Sequence, residues 1–220
     1  LKSFEDEMVE HLQDFAPKLF EIRGEDCFRD VIRLGIKRAG NYGFTNRGPV
    51  RFYIETMVSL GCDFDTDPQY PWAAAILNDN SYFDQMQKAD HLYMAVIDFL
   101  DKAMGPENEY AASALKKISN NDYSSFSIQE NNFSNSFIDL CYSVFPEKAG
   151  YVGEKQLLKL INEGQKRALI YGIESAEGKT VITGLMFMFG HGVIEDSLYV
   201  WVKKTLTYLN GISIDKKIER

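Results

Sequence analysis

Cysteine is scarce in this chain and does not pair. Cys27, Cys62 and Cys141 are odd in number and form no CxxC motif, which argues against a disulfide framework and for a reducing compartment. Each reads as a small core residue rather than a thiol nucleophile. Histidine is equally sparse: His11, His91 and His191 stand in unrelated contexts without HExxH or paired spacing, so a zinc site has no support. There is no P-loop, and neither Ser143 nor Ser197 lies in a GxSxG turn. The longest apolar run, Val181 to Phe189, is interrupted by Thr183 and Gly184 and is too short to span a bilayer as a helix. Positive charge is also short, with 24 Lys and Arg against 32 Asp and Glu and a net charge of -8. That balance argues against unspecific nucleic-acid binding; it suits a basic partner through long-range attraction, and equally a charge carried for solubility alone. No apolar leader opens Leu1–Glu7; the expected location is cytoplasmic, or periplasmic where a leader has been removed.

What the chain does contain is itself, twice. Shifting the sequence by 129 positions without a gap lays Ile32, Gly35, Lys37, Arg38, Ala39, Tyr42, Gly43, Met57, Gly61, Asp67, Tyr70, Trp72 and Leu77 on identical residues, from Ile161 to Leu206. Upstream, Phe4, Pro17, Gly24 and Glu25 fall on Phe133, Pro146, Gly153 and Glu154. The expected architecture is therefore all-α, with tandem-duplicated helical units packed into one pseudo-twofold domain. Its parts are a first repeat unit at 1–80, a central helix and linker at 81–132, a second repeat unit at 133–210 and a frayed tail at 211–220.

Local signals give the helices. Ser3 caps a first helix carrying Phe4, Met8, Leu12 and Phe15 on one face, and Pro17 breaks it. After Gly24, Phe28, Val31, Ile32, Gly35, Ile36 and Ala39 form an apolar stripe, repeated after Gly153 by Leu157, Leu160, Ile161, Gly164 and Ala168. The small residues on that stripe predict close approach of a neighbouring helix. Gly43 and Gly172 are natural C-caps. A third helix follows to Leu60; its counterpart to Phe189 is apolar enough to be largely buried. Phe83 to Met104 reads as a long helix stopped by Gly105-Pro106. The segment Asp79–Glu130 holds nine acidic residues against Lys88, Lys102, Lys116 and Lys117. No segment has strand alternation.

Candidate chemistry concentrates in Asp63, Asp65 and Asp67. The alternating carboxylates resemble the start of a calcium loop, but Pro68 and Ala74 stand where the glycine and the closing glutamate belong. Arg38 and Asp67 recur as Arg167 and Asp196, and charge-assisted pairing predicts that each arginine clamps its aspartate. No catalytic, metal or cofactor residues are assigned and no cofactor is expected. The face expected to bind a partner comprises Asn46, Arg47, Arg51, Asp63, Asp65, Gln69 and Tyr70.

The stretch Arg38-Ala39, Tyr42-Gly43, Val50, Tyr53, Met57, Leu60-Gly61, Phe64-Asp65, Asp67-Pro68-Gln69 and Pro71-Trp72 resembles a family of bacterial proteins often encoded beside genes for type VI secretion spike, tip or toxin proteins. The likeness runs over roughly Leu34 to Leu77 and is loose in the second unit. It implies an immunity protein, an effector-loading adaptor or a chaperone. The leading expectation is a non-enzymatic protein-binding protein, such as an immunity protein blocking a secreted toxin. The alternatives are a hydrolase using the acidic loop and a self-associating structural or membrane-peripheral protein. The expected partner is a basic toxin or secretion component, with no nucleic acid and no transmembrane segment; self-association is left open.

Overall fold

Ser3 starts the first helix by a reciprocal cap. Its hydroxyl accepts from the Asp6 amide at 3.2 Å, while the Asp6 carboxylate accepts from the Ser3 amide at 3.4 Å. The computed structural model describes residues 3–120, 128 and 130–208; the tail 211–220 and part of the linker before Asn132 lie outside the described residues. Among the described residues there are eleven α-helices and no strand. They are α1 (Phe4–Phe15), α2 (Pro17–Asn41), α3 (Arg47–Leu60), α4 (Pro71–Asn78), α5 (Gln85–Phe99), α6 (Glu109–Asn120), α7 (Phe133–Val144), α8 (Pro146–Val152), α9 (Glu154–Ile170), α10 (Ala176–Phe189) and α11 (Val200–Tyr208). None is long and apolar enough to cross a membrane.

The chain divides into two compact units, one of Leu1–Ala95 with Gly192–Val202, the other of Val96–His191 with Lys203–Arg220. These bounds differ from the expected 1–80 and 133–210. Gly192–Val202, read as part of the second repeat, belongs with the first unit because its backbone and Asp196 bond to groups of that unit.

In the first unit, Pro17 starts α2 rather than merely ending α1, since the missing amide costs nothing at a first helical position. Gly24 interrupts α2 at φ 76°, a conformation that favours glycine. Phe28, Val31, Ile32, Gly35 and Ala39 are then buried as the stripe predicts, whereas Ile36 is exposed. Met8, Val9 and Leu12 are the buried residues of α1, and Phe15 points outward. Gly35 permits close packing of α2 on α3: a Cβ there would stand 2.5 Å from Ile54 Cγ1 and 3.0 Å from Met57 Sδ. Pro71 likewise starts α4 from the first helical position. Lys88, buried on α5, donates to the carbonyls of Tyr42 at 3.3 Å and Leu77 at 3.0 Å, satisfying orphan acceptors beyond the end of α2 and near that of α4.

The second unit places Phe99, Phe133, Phe137, Phe145, Leu157, Leu160, Ile161 and Met186 in its core. The long helix expected to reach Met104 does so, but its last turn, Leu100–Met104, is a wider π turn closed by Gly105 N–H to the Leu100 carbonyl at 3.0 Å. Lys148 is fully buried, with Nζ donating to the Phe187 carbonyl and standing 5.0 Å from that residue's ring centroid. Gly164 packs against Thr183, which any Cβ would strike. Glu177 is the one exposed residue of α10, as expected for so apolar a helix. Helix ends recur at the sequence interval: α1 and α7, and α3 and α10, start and stop at matching positions, and Gly24 and Gly153 share φ 76°.

Gly35→Ala is expected to destabilise the chain by about 1–3 kcal/mol, because Ile54 must move. Gly40→Ala, where a Cβ meets nothing within 4 Å, is expected to stabilise by about 0.5–1 kcal/mol through helix propensity. Chemical denaturation of both variants checks the contrast; changes of the same sign would remove the close-packing account of Gly35.

Candidate functional site

The acidic loop is a run of tight turns after α3. Gly61 ends that helix at φ 101°, and the chain folds back through Phe64 N–H to Gly61 O at 3.1 Å, Thr66 N–H to Asp63 O at 3.0 Å and Tyr70 N–H to Asp67 O at 3.0 Å. Alternate residues serve different partners. Phe64 enters the core, while Asp63 and Asp65 meet Arg38 of α2.

Asp65, only 2 % exposed, is the centre of the cluster. It accepts from Arg38 Nε at 3.2 Å, from Arg38 Nη2, from Tyr42 Oη at 2.9 Å and from Tyr53 Oη at 2.6 Å. Asp63 accepts from Arg38 Nη1. Arg38 lies in the last turn of α2, Tyr42 directly follows that helix and Tyr53 comes from α3, so one carboxylate ties two helices to the loop. Burial opposes the charge of Arg38, but the hydrogen bond to Asp63 and the field of Asp65 outweigh it and raise its pKa. Burial, then the hydrogen bond to Asp65, pushes Tyr42 up to about 12. Burial, then the charge of Asp65, carries Tyr53 higher still.

The arginine clamp is thus built on different aspartates from those expected. Arg38 takes Asp63 and Asp65, and Asp67 works locally instead, accepting from Gln69 N–H at 2.8 Å and Gln69 Nε2 at 3.2 Å. Asp196 repeats that turn with Leu198 N–H at 2.8 Å, and its other oxygen accepts from Cys62 N–H at 2.8 Å. Arg167 is bonded to Glu163 one turn earlier, with Nη2 at 3.1 Å. His191 also reaches Glu163, at 3.1 Å. The His191 hydrogen bond, against the opposing effect of burial and with help from Arg167, holds the Glu163 carboxyl below its ordinary value. Both oxygens of Asp67 accept from Gln69, whereas Asp63 and Asp65 are the carboxylates that face the Arg38 fork.

Gly192–Val202 fastens to the same region. The Ser197 carbonyl accepts from Arg23 Nη2 and from the Cys27 thiol, both at 3.1 Å, and a side chain at Gly192 would collide with Asp63. Burial, then Asp196, pushes the Cys62 thiol up, which suits a core residue rather than a nucleophile.

Of the expected partner-binding residues, Asp65, Gln69 and Tyr70 are buried and cannot meet a partner; Asp63 is partly exposed but held by Arg38. Asn46, Arg47 and Arg51 are exposed around the start of α3. Arg47 pairs with Glu7 at 2.6 Å and stands over the Phe4 ring at 5.4 Å, while Arg51 and His11 share Glu55 at 2.8 and 2.6 Å. A cleft of about 310 Å³ lies here, lined by Phe4, Met8, His11, Arg47 and Arg51 among others. Asp65 is buried, with three of its hydrogen bonds on Oδ2 and that of Arg38 Nη2 on Oδ1. Among the described residues no three His, Cys, Asp or Glu side chains are grouped to hold a metal ion.

A surface the sequence reading missed is the outer face of α5. Phe83 is 92 % exposed, and Met86, Tyr93 and Met94 are each at least 46 % exposed, while Leu92, Val96 and Phe99 of the same helix are buried. The available signal was that apolar residues lie on both sides of the helix; only one side finds a core. Comparison of the chain with family models, with curated proteins and with solved structures finds no match.

Arg38→Met should destabilise the fold by about 3–5 kcal/mol, since it leaves Asp65 buried without its cation, and Arg38→Lys should recover only part because a lysine cannot bridge two carboxylates as a fork. Urea denaturation of the pair decides it, and a near-neutral Arg38→Met would overturn the role of the cluster. Stability should also fall on the alkaline side. The unfolded chain releases tyrosine protons near about pH 10, whereas folded Tyr42 and Tyr53 hold theirs to higher pH. Their contribution is complete below that pH and is lost as pH rises. Thermal melting across the alkaline range checks this, with Tyr53→Phe flattening the slope.

Proposed function

We propose that this chain is a non-enzymatic protein-binding protein whose contact surface centres on the outer face of α5. The observation that carries the reading is the row of four large exposed apolar side chains, Phe83, Met86, Tyr93 and Met94. A cluster of this kind has a cost in water and is a common mark of a partner site. The internal commitment of Asp63 and Asp65 to Arg38 supports it from the other side, since these carboxylates are the ones a hydrolase reading needs.

The family resemblance of Leu34–Leu77 gives the biological form of the proposal: a bacterial immunity protein that blocks a secreted toxin by occupying its working surface. A net charge of -8 favours a basic partner through long-range attraction. The same proposal includes an internal duplication with pseudo-twofold packing of the copies. The recurring helix bounds and the paired Asp67 and Asp196 turns support the duplication.

The test is retention of proteins from the source bacterium by tagged chain, run beside Tyr93→Glu and Met94→Glu. The expected result is one stoichiometric basic protein whose capture falls at least about tenfold with either variant, while circular dichroism and melting temperature are unchanged. Capture that ignores both substitutions, or no capture, would count against the reading.

A further inference from the structure

We infer that the outer face of α5 receives one amphipathic helix of a partner protein, and that this helix carries a lysine or arginine opposite Asp90. The inference rests on the protein-binding reading above and adds the chemistry of the partner. The exposed row from Phe83 to Met94 covers eleven residue steps, about 16 Å or three turns at helical rise. Met86, Tyr93 and Met94 fall on one side of α5 by its 3.6-residue period. Phe83, just before the helix, is tied to it by its amide bonding to Gln87 Oε1 at 2.9 Å. Tyr93 packs edge-on to Phe52 of α3 with ring centroids 5.4 Å apart, which gives the row a firm aromatic flank. Two methionines supply a surface that adapts to the side chains laid on it.

Asp90 decides the charge of the occupant. It lies one turn after Met86 and one turn before Met94, in the middle of the row, and is exposed. Among the described residues it has no ion-pair partner. The single lysine of α5, Lys88, is turned inward to the carbonyls of Tyr42 and Leu77, and His91 is bonded to Tyr82 Oη at 3.2 Å. Covering the row with apolar groups alone would strip water from this carboxylate without replacing its hydrogen bonds. A cation on the incoming face supplies them. Asp84 at the upstream end, exposed and accepting from Gln87 N–H at 2.9 Å, extends the same sign of charge.

Other occupants fit less well. An added strand needs a sheet edge, and the described residues contain no strand. A second copy meeting this face across a twofold axis would bring Asp90 towards its own equivalent between chains that each carry -8. An anionic membrane surface would be repelled by Asp84 and Asp90.

The experiment uses the full chain and a synthetic amphipathic peptide of leucine and lysine about four turns long, with two comparison peptides: one with glutamate for lysine and one with the same composition scrambled out of helical period. Amide shifts are followed by NMR. The lysine peptide is expected to bind saturably, with shifts centred on 83–94. Met94→Glu should weaken it at least about tenfold, and Asp90→Asn about two- to fivefold, the range of an exposed ion pair. Both comparison peptides should bind at least about tenfold more weakly. Shifts elsewhere, equal binding of the scrambled peptide, or indifference to Asp90→Asn would overturn the inference, as would a concentration-dependent dimer abolished by Met94→Glu. If the lysine peptide fails while native capture still depends on Met94, the helix chemistry falls and the protein-binding reading stands. Loss of that dependence in native capture removes both.

Discussion

One buried carboxylate holds the first unit's loop in place. Asp65 accepts from Arg38, Tyr42 and Tyr53, so α2, α3 and the segment after α3 meet at a single group. A buried charge tolerates this position only because every donor around it is supplied by the fold. The loop's remaining work follows from that anchor. Phe64 and Tyr70 enter the core on either side of it, Asp67 turns the chain towards α4, and Cys62 offers its amide to Asp196. Removal of Arg38 would strand the buried Asp65, whereas Arg38 keeps Asp63 as a second partner.

This changes what the acidic triplet means. In sequence, three alternating aspartates suggest a ligand site, a catalytic pair or a surface that meets a partner. In the folded chain they have been divided: Asp63 and Asp65 neutralise one arginine, and Asp67 shapes a turn. The large exposed apolar side chains lie elsewhere, on and just before a helix whose inner side is buried and whose outer side carries Phe83, Met86, Tyr93 and Met94.

Much of the fold was legible. Proline at a first helical position, glycine in left-handed backbone and apolar side chains at helical spacing are local signals, and they recur at an interval of 129 positions. Thus Ser3, Pro17, Gly24, Gly43 and Gly61 mark helix ends or breaks in both readings. The candidate site was less legible. The pairing of Arg38 with Asp67 followed from their joint recurrence, yet recurrence reports that two residues are retained in a pattern, not that they touch. Asp67 and Asp196 each accept from the amide two residues on and so shape their own turns.

By itself the sequence determined the helical class, the positions of most helix ends and the repeated stripes with glycine at Gly35 and Gly164, because these depend on residues within a few turns of one another. Only the tertiary structure decided which aspartates Arg38 takes, that Gly192–Val202 joins the first unit, and that Gln69 and Tyr70 are buried while Phe83 and Met94 are not. Those outcomes depend on which segments distant in sequence arrive beside one another, and no local pattern carries that information.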